Sequence, residues 1–288
     1  MPPSSSGGTT IIQMLNILED YRLPQMKRRD ASTIHLLAET MRIGFYTRAK
    51  YLGDSDFVKV NIAQLTSKPF AEVLRGNVNP KRATSSLSLG KDIVTRVEGS
   101  STTHFSVADA QGNVVANTYT LEDSYGSRVI AKGTGFLLNN EMHDFNMNPG
   151  VTDTKGLIGT KPNLIEPGKR MLSSMSPVIV LKDKKPFLVT GSPGGRTIVN
   201  TVLQIILNVI DFKMDVQSAV DEPRIHHQWM PDVLTIEQSL GTLIPELSEM
   251  GNQVRVSGTQ GDAHSILIQD GKKYAGVDHR LRGGAAGY

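Results

Sequence analysis

Thr103-His104-Phe105-Ser106-Val107-Ala108 alternates in side-chain character, turns at Asp109-Ala110-Gln111-Gly112-Asn113, and returns over residues 114–119. Period-two alternation on both sides of a polar, glycine-containing turn predicts a β-hairpin. Val178-Ile179-Val180-Leu181 with Phe187-Leu188-Val189-Thr190 predicts a second hairpin. His264-Ser265-Ile266-Leu267-Ile268 and the segment from Tyr274, joined across Asp270-Gly271, predict a third. Helical spacing lies between them. Ile11, Ile12, Leu15 and Leu18 follow a Thr9/Thr10 cap, and Leu36, Leu37, Met41 and Phe45 share a face within 33–49. Ile198, Val202, Ile205, Ile206 and Val209 do the same after Gly195, with shorter helices expected over 216–221 and 242–250. Residues 1–8 have a loop composition, and Asn79-Pro80 with residues 84–90 read as exposed loop. Hairpins interleaved with helices, without regular β-α-β alternation, predict an α+β fold of mixed sheets covered by helices.

Composition narrows the function. The 288 residues are 39% hydrophobic and 20% charged, which argues against a disordered or membrane-spanning chain. A net charge of +3, with its basic residues scattered, gives no footprint for nucleic acid. No cysteine is present, so disulfides, thiolate nucleophiles and Cys-ligated zinc are excluded. The first eight residues lack the charged-then-apolar pattern of an export signal, and no apolar run approaches the roughly 18 residues of a membrane span. The seven histidines fall in no metal-ligand spacing. His226 and His227, as neighbours on a strand, would face opposite ways and serve structural or surface roles. Residues 191–197 lack the Gly-Lys-Ser/Thr ending of a phosphate loop. There is no G-x-S-x-G elbow, and Ser173-Ser174 has no lysine three residues on.

Two features point to acyl chemistry. Ser100-Ser101-Thr102-Thr103-His104 puts hydroxyls where a loop enters a strand. Pro193-Gly194-Gly195 precedes a helix, so backbone N–H groups and the positive helix end could stabilise an oxyanion. With their neighbours these become specific. Thr102-Thr103-His104-Phe105-Ser106-Val107, Thr118-Tyr119-Thr120-Leu121, Leu138-Asn139-Asn140-Glu141-Met142 with Asp144-Phe145, Leu172-Ser173-Ser174-Met175-Ser176-Pro177 and Thr190-Gly191-Ser192-Pro193-Gly194-Gly195 occur in one order. The set resembles the γ-glutamyltranspeptidase, or glutathione hydrolase, family of the N-terminal-nucleophile superfamily. Glu222-Pro223-Arg224, His226-His227-Gln228-Trp229 and the closing Gly283-Gly284-Ala285-Ala286-Gly287-Tyr288 extend the likeness. Upstream, residues 2–8, Tyr51-Leu52-Gly53-Asp54 and Leu65-Thr66-Ser67 look like the end of the family's large subunit.

The resemblance implies a four-layer αββα sandwich, incomplete here. Residues 1–101 would be the C-terminal part of the large subunit and 102–288 the small subunit, intertwined as one domain. Autoproteolysis between Ser101 and Thr102 would free the Thr102 amine, whose pKa of about 7.7–8.0 suits a base for the Thr102 hydroxyl. Thr120 would orient that hydroxyl, and Gly194 and Gly195 would donate to the oxyanion. Ser173 and Ser174 would bind the donor's α-carboxylate, while Glu141 and Asp144, with Glu122 where the family has Asn or a carboxylate, would hold its α-ammonium. The implied reaction moves a γ-glutamyl group from glutathione or related amides to water, an amino acid or a peptide, without cofactor or metal. It implies a large/small subunit heterodimer in the periplasm or outside the cell. The family's large subunit also carries an export signal and an arginine for the α-carboxylate, which no segment here matches. Two rival readings are a cephalosporin or glutaryl acylase of the same fold, and an inactive fragment that needs the upstream half.

Overall fold

The computed structural model describes residues 1–90, 102–151 and 159–288. The first segment is helical: α1 (Gly7–Leu18), α2 (Ala31–Tyr51), α3 (Ile62–Leu65), α4 (Lys68–Arg75) and α5 (Ser86–Leu89). Then come β1 (Thr102–Ala108), β2 (Val114–Thr120), β3 (Val178–Lys182), β4 (Lys185–Thr190), α6 (Thr197–Ile210) and α7 (Val216–Asp221). β5 (Ile225–His226), β6 (Leu234–Glu237), α8 (Ile244–Glu249), β7 (Val254–Ser257), β8 (His264–Gln269) and β9 (Lys272–Val277) complete the order. All three predicted hairpins form, as β1–β2, β3–β4 and β8–β9.

The sheets stack as an α+β sandwich. β3-β4-β8-β9 is a four-stranded antiparallel sheet. Leu188 and Leu267, paired across β4 and β8, turn one face into the core formed with α1, α2 and α6. The β1–β2 ribbon lies against β4 and β8 on the other side, where Ser106 Oγ donates to the His264 carbonyl at 3.0 Å. Of the αββα succession, the described residues thus contribute helices, sheet and ribbon. The ribbon's outward face carries Phe105, Val107, Val115 and Tyr119, each at least half or nearly half exposed.

α6 is buried from Ile198 to Val209, although its sequence includes Asn200, Gln204 and Asn208. That i, i+4, i+8 stripe is bonded by the chain passing alongside, apart from Asn200 Oδ1. Asn200 Nδ2 donates to the His227 carbonyl, Gln204 exchanges both bonds with Ile225, and Asn208 Nδ2 donates to the Ala219 carbonyl. Buried amides are tolerated because each finds partners. Arg28 adds donors to Gln204 and Asn208.

Several expectations are corrected. α1 starts at Gly7 rather than behind a Thr9/Thr10 cap, because Ser5 and Ser6 are buried against Ser173 and the helix is already committed there. Ile12, placed on its apolar stripe, is 46% exposed. Residues 84–90 are not a free loop: Ser86 is fully buried, its N–H bonds Asp232 Oδ2 and its carbonyl receives the Trp229 indole N–H. Of the two roles expected for His226 and His227, structural or surface, the structure shows the structural one, with both buried. His227 accepts from the Trp229 N–H and contacts Asp232 through Nε2, and burial together with nearby Arg42 pushes its pKa down to about 3. The three-stranded sheet β5-β6-β7, with β6 and β7 parallel, carried no hairpin signal.

Candidate active site

The register of β1 on β2 builds the centre of the site. Thr102 pairs with Thr120, and pairing continues without slip to Ala108 and Val114. Residues directly opposite in an antiparallel pair project from the same face. Thr102 Oγ1 accordingly donates to Thr120 Oγ1 at 3.2 Å, and the Glu122 N–H donates to that same Thr120 oxygen at 2.8 Å. Glu122 takes φ 77°, a left-handed conformation uncommon for a residue with a Cβ, which turns the chain back after β2. Ser101, the other side of the expected cleavage bond, lies outside the described residues.

Two residues along β1, the buried His104 ring joins this strand to the glycine loop. Ser106 spends its hydroxyl proton on the His264 carbonyl, so His104 Nε2 must donate to Ser106 Oγ at 3.2 Å. Nδ1 then accepts from Thr118 Oγ1 at 2.9 Å, which fixes one neutral tautomer. Burial, with His264 nearby, lowers the His104 pKa to about 4. A Cβ on Gly191 would overlap this ring, so only glycine lets the loop after β4 close over it. Gly194 and Gly195 follow at positive φ, 134° and 56°, and their carbonyls accept from the Thr197 and Ile198 N–H groups as α6 begins.

The His104 environment has a pH consequence. A histidine held neutral contributes its full stability above pH about 6.5 and loses it as pH falls toward its folded pKa near 4. At about 1.4 kcal/mol per unit, the loss is about 3 kcal/mol. Urea melts at pH 7 and pH 4.5 are expected to show the parent losing roughly that much more than His104→Gln. Equal losses would clear His104 of any part in acid sensitivity.

The remaining predicted residues form two linked groups. Glu122, Glu141 and Asp144 bring carboxylate oxygens within 4.8 Å of one another, the only such group of acids and histidines among the described residues. Asn140 brings Glu122 and Glu141 together: its N–H bonds the Leu121 carbonyl and its side chain exchanges bonds with Asp123. Three carboxylates this close make a site suited to a cation, whether a metal ion or an ammonium group. Ser173 and Ser174 form the second group. Ser173 exchanges main-chain bonds with Ser4 and Ser6, and Ser174 Oγ accepts from Arg48 Nη2 at 2.9 Å, while Arg48 Nε donates to Ser6 Oγ at 2.8 Å. Asp54, buried, grips Arg170 just ahead of the pair, and that guanidinium holds its carboxyl far below the usual range.

The sequence reading missed Ser5, Ser6, Arg48 and Asn163, which support these groups. Residues 2–8 were legible as a motif, but their composition concealed that they pack against Ser173. Arg48, inside a helix, offered no signal.

Residues 1–288 match the family described as Gamma-glutamyltranspeptidase. The Glutathione hydrolase proenzyme of Escherichia coli (strain K12) is 42% identical over 282 residues, covering 97% of this chain and 49% of that protein. The chain spans about half the length of the curated relatives it matches. Among solved structures, a Helicobacter pylori gamma-glutamyltranspeptidase mutant is 48% identical, with TM-score 0.59, over 62% of this chain and 100% of that one. A cephalosporin acylase from Bacillus halodurans, 24% identical, has TM-score 0.79 over 97% of this chain and 49% of that one, a likeness of fold. The chain belongs to the gamma-glutamyltranspeptidase family.

Proposed function

We propose that this chain carries the catalytic portion of a γ-glutamyl acyltransferase, with residues 1–101 ending a large subunit and 102–288 forming a small one. The full-length match of the Helicobacter pylori chain to 62% of this one supports that division. The observation that carries the reading is the convergence of Glu122, Glu141 and Asp144 directly after the Thr102–Thr120 pair. It offers an anionic pocket beside a candidate nucleophile, as a donor with an α-ammonium requires.

Thr102 Oγ attacks the Ser101 carbonyl and the C–N bond breaks, which frees the Thr102 amine and leaves an ester on Oγ; water then cleaves that ester, releasing the Ser101 carboxylate and the Thr102 hydroxyl. That amine then takes the Thr102 hydroxyl proton as the oxygen attacks the γ-carbonyl of glutathione or a related amide. Gly194 and Gly195 N–H groups receive the oxyanion. The leaving amine departs with the proton, and water, an amino acid or a peptide cleaves the acyl ester. Ser173 and Ser174 hold the α-carboxylate, and the three acids hold the α-ammonium. No helix among the described residues is long and apolar enough to cross a membrane. We place the processed heterodimer in the periplasm or outside the cell, as for the family.

The acylase reading differs at one atom group, since a glutaryl donor lacks the ammonium. With the chain fused behind the first half its relatives carry, γ-glutamyl anilide is expected to be hydrolysed at least tenfold faster than glutaryl anilide at equal concentration, as a charge-assisted contact implies. A preference for glutaryl anilide would replace this function with the acylase one.

A further inference from the structure

The acids and the serine pair sit on irregular segments, and among the described residues no sheet ladder runs between them to set their spacing. One side chain spans the gap. Asn163, 4% exposed, ends a short 3₁₀ turn that is anchored to the acid segment by main-chain bonding, the Asn146 N–H donating to the Asn163 carbonyl at 2.8 Å. Its Nδ2 donates to the Asp144 carbonyl at 2.6 Å, and its Oδ1 accepts from the Leu172 N–H at 2.9 Å. One amide therefore bonds the backbone of an acid in the first group and the residue just before Ser173 in the second.

We propose that Asn163 is a positioning residue that sets the distance between the two halves of the donor clamp; the inference rests on the function proposed above. The chemistry is particular to the side chain. One partner is a carbonyl and the other an N–H, so the spanning group must offer a donor and an acceptor at its two ends. Aspartate lacks the donor, leucine lacks both, and glutamine is longer by a methylene. The spacing matters because an α-amino acid carries ammonium and carboxylate on one carbon. A ligand with both groups must find its two sites at a fixed separation, whereas a ligand with one group settles wherever its own site lies.

The test uses the chain fused behind the first half of its relatives. Inhibition constants against γ-glutamyl anilide hydrolysis are measured for three small amides. L-Glutamine carries both head groups, 4-aminobutanamide only the ammonium, and 4-carbamoylbutanoate only the carboxylate. In Asn163→Leu, which removes both spanning bonds, L-glutamine is expected to weaken about tenfold or more, while the one-headed ligands stay within about twofold. If Asn163→Leu does not fold, Asn163→Asp, which keeps the size and an acceptor for the Leu172 N–H but loses the donor to the Asp144 carbonyl, answers the same question with the same ordering of losses. Equal weakening of all three ligands, or no weakening of L-glutamine, overturns the inference alone. A parent protein that neither hydrolyses γ-glutamyl anilide nor binds L-glutamine overturns the proposed function, and the inference with it.

Discussion

Thr102→Ala, introduced into the chain fused behind the first half of its relatives, is expected to leave the 101–102 bond intact and to lower γ-glutamyl turnover by about 10⁴–10⁶-fold. The size follows from one oxygen serving twice, first in cleaving the chain and then in taking the acyl group. Thr120 cannot stand in for it. Its oxygen already receives the Glu122 N–H and the Thr102 hydroxyl, and it sits at the far end of β2 with no free amine attached. Alanine should leave the hairpin in place, because register is held by main-chain pairing and by the His104 and Ser106 bonds further along β1. Thr102→Ser keeps the oxygen and is expected to retain both cleavage and turnover. Mass spectrometry of the subunits and an anilide assay read the two effects separately. Turnover by a folded alanine variant near that of the parent would remove Thr102 from the chemistry.

How much of this was legible in the residues depended on the range of the interaction. The β1–β2 hairpin and its Thr102–Thr120 pairing follow from alternation and turn chemistry, which act over a few residues. The residues of the proposed clamp were picked out one by one through the family motifs, and the structure places the Glu122, Glu141 and Asp144 carboxylates within 4.8 Å of one another. What holds them was not legible. Arg48 reaches Ser174 from the last turns of a long helix, and nothing in that helix's periodicity marks it off from an exposed charge. Ser86 sits in a Ser/Thr-rich stretch that composition reads as exposed loop, yet Asp232 and Trp229 bury it from far along the chain. The parallel pairing of β6 with β7 was invisible for the same reason: a parallel connection has no tight turn to announce it. Tertiary contacts decided each of these against the local signal.

The chain expressed by itself is expected to remain largely one band near 31 kDa, with little γ-glutamyl hydrolysis. Two physical losses combine. On the proposed reading, the upstream half supplies the arginine that completes the α-carboxylate site. Removing one charged partner from such a site typically costs about 30-fold to several thousand-fold in binding. The second loss is of support. Phe105, Val107, Val115 and Tyr119 face outward from a two-stranded ribbon that pairs with no third strand among the described residues. Such a ribbon is marginal unless covered, and its apolar face and open edges invite association between copies. Thr102 heads this ribbon, so a loosened β1 displaces the nucleophile, and small displacements cost ~10² in rate. Fused behind the first half of its relatives, or supplied with it in trans, the same chain should yield a 187-residue small subunit beginning at Thr102. Light scattering should then report a discrete species where the short chain forms a polydisperse one. Efficient self-cleavage and full turnover by the short chain would show that its own residues hold β1 in place and bind the donor's carboxylate without help.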